Sequence, residues 1–99
     1  MNLNQYSSEV QDHLKRKVEE LEMTELNPIE KPVYGVYTIT QLQAYNVSLS
    51  TSKISINKLK HFVKAELKAK YVSVVFFETI STLKGRKDIA IFYRALMKN

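Results

Sequence analysis

Apolar positions recur with helical spacing in two stretches of this 99-residue chain and with strand-like density in two others. In residues 5–26 (QYSSEVQDHLKRKVEELEMTEL), Val10, Leu14, Val18 and Leu21 fall on one narrow stripe, extended upstream by Tyr6, which predicts an amphipathic helix. Ser7 or Ser8 supplies a cap, and Glu9 and Asp12 suit the positive end of the helix dipole. Asp12–Arg16 and Glu9–His13 are candidate i, i+4 pairs. So polar a helix has to lay its one stripe on its own domain or on a second copy. The repeat does not sustain a heptad, so docking at home is expected, with a homodimer contact through this helix as the alternative. Asn27-Pro28 and Lys31-Pro32 end the helix, because a residue before proline avoids the α region, and residues 27–32 become a connector.

The second helical pattern lies within Lys53–Lys70 (KISINKLKHFVKAELKAK). At about 100° per residue, Ile56, Leu59, Val63 and Leu67 share a stripe with Phe62 on its shoulder. Lys53, Asn57, Lys60, His61, Lys64 and Lys68 share the adjoining arc. Beyond it, YVSVVFFETIST (71–82) and IAIFYRAL (89–96) are rich in β-branched and aromatic residues and flank LKGRKD, where Gly85 supplies the positive φ of a turn. This predicts a β-hairpin with Lys84, Arg86 and Lys87 at its tip. Strict alternation puts Val72, Val74, Phe76 and Ile80 on one face, and Val75 and Phe77 on the other beside Ser73, Thr79 and Ser81. Uncovered, VSVVFF is prone to aggregate, so the strand is expected at the centre of a sheet or against a partner.

Residues 33–52 admit two readings. In one, Tyr34 to Thr38 is a short strand and a helix starting at Thr38 or Thr40 runs to about Val47, with Leu42 and Tyr45 inward. Ser48 to Ser52 then form the turn, and the basic helix is the second of a helix-turn-helix pair, the one that enters the major groove. In the other, 33–40 and 42–51 are two strands of a hairpin, which the alternation Gln41, Gln43, Tyr45, Val47, Leu49 favours. No Asn-Gly or Asp-Gly turn joins them, and the helical reading is preferred.

Composition sets the class. At 44% hydrophobic and 25% charged the chain reads as one globular domain, 1–99, in three parts: an N-terminal helix (1–26), the connector and a basic core (33–99). The absence of cysteine excludes disulfides, thiolate metal sites and a thiol nucleophile. Neither a signal peptide nor an apolar run of membrane-spanning length is read, so no membrane association and a cytoplasmic location are expected. Charge is divided unevenly: residues 1–31 hold seven acids and four bases, residues 32–99 three acids and eleven bases. The net charge of +5 therefore belongs to the basic core.

Catalytic chemistry finds few candidates. Outside the first third the acids are Glu66, Glu78 and Asp88. Glu66 can pair with Lys70, Asp88 reads as a turn residue beside Gly85, and Glu78 lacks an evident partner for acid–base work. His13 and His61 sit in different elements, so no metal site is expected, and two glycines fifty residues apart make no phosphate-cradling loop. The expectation is a protein that is not an enzyme and carries no cofactor.

A basic helix followed by a hairpin with a basic tip is the order of a winged-helix domain. The expected fold is α+β: an N-terminal helix, a helix-turn-helix-like core and a C-terminal β-hairpin. The alternative is a small antiparallel sheet packed with helices. The expected function is a small DNA-binding protein, a transcriptional regulator. Lys53, Lys60, Lys64 and Lys68 meet phosphates, Asn57 and His61 face base edges, and Lys84, Arg86 and Lys87 reach backbone from the tip. Two alternatives remain: a protein-interaction module (inhibitor or adaptor), and an RNA or single-strand binder with Tyr34, Tyr37 and Tyr45 as a stacking platform.

Overall fold

The computed structural model describes residues 3–23, 32–40, 43 and 55–98. These form α1 (Ser8–Met23), β1 (Val33–Thr40), α2 (Ile56–Leu67), β2 (Ala69–Ser81) and β3 (Lys87–Met97). The strands make one antiparallel sheet in the spatial order β1-β3-β2, so the last strand in sequence is the middle one. The fold is thus α+β, with two helices and a three-stranded antiparallel sheet among the described residues. None of the described helices is long and apolar enough to cross a membrane.

β3 reads as a nearly continuous apolar run because both of its faces are covered. Residues 88–93 and Ala95 are all buried. Successive side chains point to opposite faces. Ala90 and Phe92 join the core under α1, with Tyr6, Leu14, Val36 and Ile80. Ile89, Ile91, Tyr93 and Ala95 join the core under α2, with Ile39, Leu59, Val63 and Val72. The apolar stripe predicted for the first helix is therefore laid on its own sheet: Leu14 is fully buried, with Val10, Val18 and Leu21 beside it. The stripe of α2 narrows to Leu59 and Val63, flanked by Phe62 and Leu67, while Ile56 in the first turn stands exposed.

Two boundaries differ from the sequence reading for local reasons. α1 begins at Ser8 rather than residue 5, because the Ser7 hydroxyl accepts from Val10 N–H (3.2 Å) and the Ser7 carbonyl from Gln11 N–H (2.9 Å). Residues 24–26 and nearly all of the connector lie outside the described residues. β1 runs through Thr40, where Gln43 N–H donates to Thr40 Oγ1 and Thr40 N–H donates to Gln43 Oε1, both at 3.3 Å, which is the reciprocal pattern of a capping box. The choice between helix-turn-helix and hairpin turns on residues 41, 42 and 44–52, which lie outside the described residues, as does Tyr45.

The hairpin forms, and its register corrects one expectation. Of the two placements expected for the 71–82 strand, the centre of a sheet or against a partner, the described sheet gives the centre to β3 and an edge to β2. In addition, the register slips between Val74 and Phe76, where Val74 pairs with Tyr93 and Phe76 with the adjacent Phe92. One extra residue, Val75, interrupts the alternation, so Val72, Val74 and Phe77 face α2 while Phe76 and Ile80 face α1. Phe76 stacks on Phe92 there, with centroids 4.4 Å apart at 17°.

Asp88 is likewise not a surface turn residue. It is 2% exposed in the first turn of β3, where Tyr6 Oη donates to its Oδ2 and Ile89 N–H to its Oδ1 (2.8 Å). Leu83 N–H donates to the Gln5 carbonyl (2.8 Å), so the N-terminal segment is tied to the hairpin turn twice. On the same face His13 Nε2 meets Glu78 Oε1 at 2.6 Å, replacing the expected Glu9–His13 pair and giving Glu78 a partner.

Two outcomes follow from this packing. Burial, and then the bond to Asp88, push the Tyr6 phenol from 10.0 up to about 12. Folding favours the neutral phenol, so its stabilisation is complete below pH 10.0 and lost as pH rises through about 12. Denaturant titrations should show stability falling across that window. Tyr6→Phe should flatten the fall and cost about 1–3 kcal/mol at neutral pH, because Asp88 loses a donor while buried. Gly35 lies opposite Tyr93, where an added Cβ would come within 2.7 Å of the phenol ring carbon Cζ. Gly35→Ala should cost about 1–3 kcal/mol in the same assay, and Gly35→Ala with Tyr93→Phe should recover part of it.

Candidate nucleic-acid interface

α2 is positioned by its start and its exit. Ser55 Oγ accepts from Lys58 N–H (3.4 Å) and opens the helix, and Leu59 and Val63 fix its inner face on the sheet. Asn57, His61 and Lys64 are thereby turned outward and exposed. At the exit Lys68 adopts the left-handed conformation (φ 54°), its N–H returning to the carbonyls of Lys64 and Ala65, and β2 starts at the next residue. A left-handed backbone position of this kind costs a non-glycine residue about 1 kcal/mol, and glycine is the usual occupant.

The regular row of Lys60, Lys64 and Lys68 is not kept. Lys60 is half-buried with its ammonium 5.3 Å from the centroid of the Tyr71 ring, a cation–π contact with the edge strand. Lys68 leaves the helix. What forms instead is an open groove of about 500 Å³ lined by His61, Lys64, Ala65, Lys68, Ala69 and Lys98. Lys98 was not among the residues that sequence singles out. It arrives because Met97 pairs with Ala69, which brings the end of β3 beside the end of α2. Among the described residues the lining contains no acid, and none of Lys64, Lys68 and Lys98 forms an ion pair.

The acid of this helix is turned away. Glu66 Oε2 accepts from Tyr37 Oη (3.1 Å) rather than pairing with Lys70, which belongs to β2. Burial, and then Glu66, raise the Tyr37 phenol above its usual range. Tyr37 also meets Phe62 edge to face at 5.8 Å. Tyr37 is therefore packed against α2.

The tip residues Lys84, Arg86 and Lys87 are exposed on a tight turn. Gly85 takes φ 84°, Gly85 N–H reaches the Thr82 carbonyl (2.9 Å), and Arg86 N–H reaches Thr82 Oγ1 (3.0 Å). Lys87 Nζ donates back to Ser81 Oγ (3.2 Å). The structure thus divides the predicted residues into two clusters. Asn57, Lys60, His61, Lys64 and Lys68 sit on or beside α2, and Lys84, Arg86 and Lys87 sit at the tip. Lys53 lies outside the described residues. The 13 residues of β2 separate the clusters, about 40 Å at 3.3 Å per residue. Among the described residues no three His, Cys, Asp or Glu side chains are grouped so as to hold a metal ion.

Lys68→Gly separates stability from any role of the groove. It should raise stability by about 0.5–1 kcal/mol in denaturant titrations by relieving the left-handed lysine. If the groove binds polyanions, the same change should weaken that binding.

No protein-family model matches this chain, and neither the curated proteins nor the solved structures contain a significant match to it.

Proposed function

We propose that this protein is a small DNA-binding protein, a transcriptional regulator that holds duplex DNA through the outer face of α2 and its adjoining groove. The observation that carries the reading is the convergence of His61, Lys64, Lys68 and Lys98 on one groove without an acid, beside a Glu66 engaged elsewhere. Phosphates would sit between these ammoniums, and counterion release would drive association. Asn57 and His61, exposed on the same helix, are the residues able to reach base edges. Lys68 strengthens the case, since a lysine is held in a conformation that glycine would adopt at lower cost.

In the winged-helix form of this reading the tip touches the same duplex. A groove of B-DNA returns to one face about every 34–36 Å, close to the span of β2, so a duplex lying along that strand meets the tip about one turn from α2. A second reading, a protein-interaction module, is favoured by the outer edge of β2. Among the described residues this strand pairs on one side, and Tyr71 and Val75 are 44% and 45% exposed along it.

Fluorescence anisotropy on random-sequence duplex at low salt, with single-stranded competitor alongside, tests the first reading. Lys64→Glu with Lys68→Glu should weaken duplex binding by more than about tenfold. Lys64→Ala alone should shallow the salt dependence by about one unit of log–log slope. Unchanged affinity in the double variant, or no retention of the wild-type protein at any salt, overturns it.

A further inference from the structure

A second, more enclosed cavity of about 330 Å³ lies at the opposite end of the sheet, where the N-terminal segment, the end of β1 and the hairpin turn meet. Asn4 and Gln5 line it from the N-terminal segment, Thr40 from β1, and Thr82, Leu83, Lys84 and Arg86 from the turn, with Asp88 beneath. Its walls are fixed by the fold. Leu83 N–H to the Gln5 carbonyl and Tyr6 Oη to Asp88 hold the N-terminal segment against the turn. Thr40 is held by its exchange with Gln43, and Thr82 accepts from Arg86 and Gly85 N–H.

The polar groups of its lining are placed in a directed way. Lys84 and Arg86 are exposed at its mouth, and among the described residues neither forms an ion pair. Among the described residues the one acid in the lining, Asp88, is buried at the back, with Tyr6 Oη on one oxygen and Ile89 N–H on the other. Each oxygen keeps a lone pair, and the hydroxyls and amides around it both donate and accept. An anionic group is thus favoured at the mouth and hydrogen-bond donors at the back. A volume at the lower end of the range for small-ligand sites excludes a duplex but admits one phosphorylated unit.

We propose that this cavity binds a nucleoside monophosphate unit, its phosphate on Lys84 and Arg86 and its base edge towards Thr40, Gln5 and Asp88. The unit is either a free nucleotide or the phosphorylated end of a strand. The proposal does not depend on duplex binding at α2, since the two clusters are separated by the length of β2.

Titration of ¹⁵N-labelled full-length protein with adenosine 5′-monophosphate tests it, with inorganic phosphate and adenosine as parallel probes. Saturable shifts of the Leu83, Gly85 and Arg86 amides are expected, at an affinity at least about tenfold above that of either probe alone. Lys84→Ala with Arg86→Ala should lose that affinity while the remaining spectrum is retained. Lys64→Glu with Lys68→Glu should leave it unchanged, which separates failure here from failure of the α2 groove. Comparison of 5′-phosphorylated and unphosphorylated oligodeoxynucleotides assigns the source: preference for the phosphorylated strand over the free nucleotide marks a strand-end site, and the reverse a free-nucleotide site. No saturable shift at millimolar nucleotide, equal affinity for inorganic phosphate, or binding unaffected by the tip variant overturns the proposal.

Discussion

β3 is covered on both faces and paired on both edges, and most of the fold answers to that condition. A strand in this position can carry almost no polar side chain, and residues 88–93 comply with Asp88 as the exception. Each face then needs a helix, and the chain provides two of different character. α1 comes from the acidic first third and lies on the face of Phe92, while α2 comes from the basic remainder and lies on the face of Ile91. The helices are thus segregated by charge to opposite sides of one thin sheet. The lysines of α2 project into solvent on a side that the acids of α1 do not reach, and the basic surface is a consequence of how the sheet is covered.

The exception at Asp88 has its own logic. A carboxylate beneath the turn is tolerated because Tyr6, 82 residues away in sequence, brings a hydroxyl to it and a ring to the core. The same residue thus serves packing and polar satisfaction, and it fixes the N-terminal segment where it walls the tip cavity.

Much of this was readable from residue order. The stripe Val10, Leu14, Val18, Leu21, the exposed face of α2 and the hairpin around Gly85 follow from local periodicity and one positive φ. What was not readable depended on pairing. Val75 looks like any other strand residue, and only the slip from Tyr93 to Phe92 shows that it is an inserted one that reverses the faces after it. Lys98 joins the groove through register with Ala69, and Glu78 finds His13 through the packing of α1, neither of which spacing encodes. Glu66 was misassigned because helical spacing was carried past Leu67, where Lys68 turns the chain into β2. The candidate site was therefore legible as a set of residue types and illegible as an arrangement.

The placement of the middle strand last in sequence also bears on how the chain is made. β1 and β2 are bonded to β3 and, among the described residues, not to each other. At a synthesis rate of about 5–20 residues per second, both wait on the ribosome for seconds without their partner, VSVVFF among them. Closure of the sheet, the docking of α1 on Phe92 and the seating of Tyr6 on Asp88 all await the emergence of β3. The sheet therefore cannot close before β3 is made, and the exposure of VSVVFF to chaperones and to misassociation is concentrated in that interval.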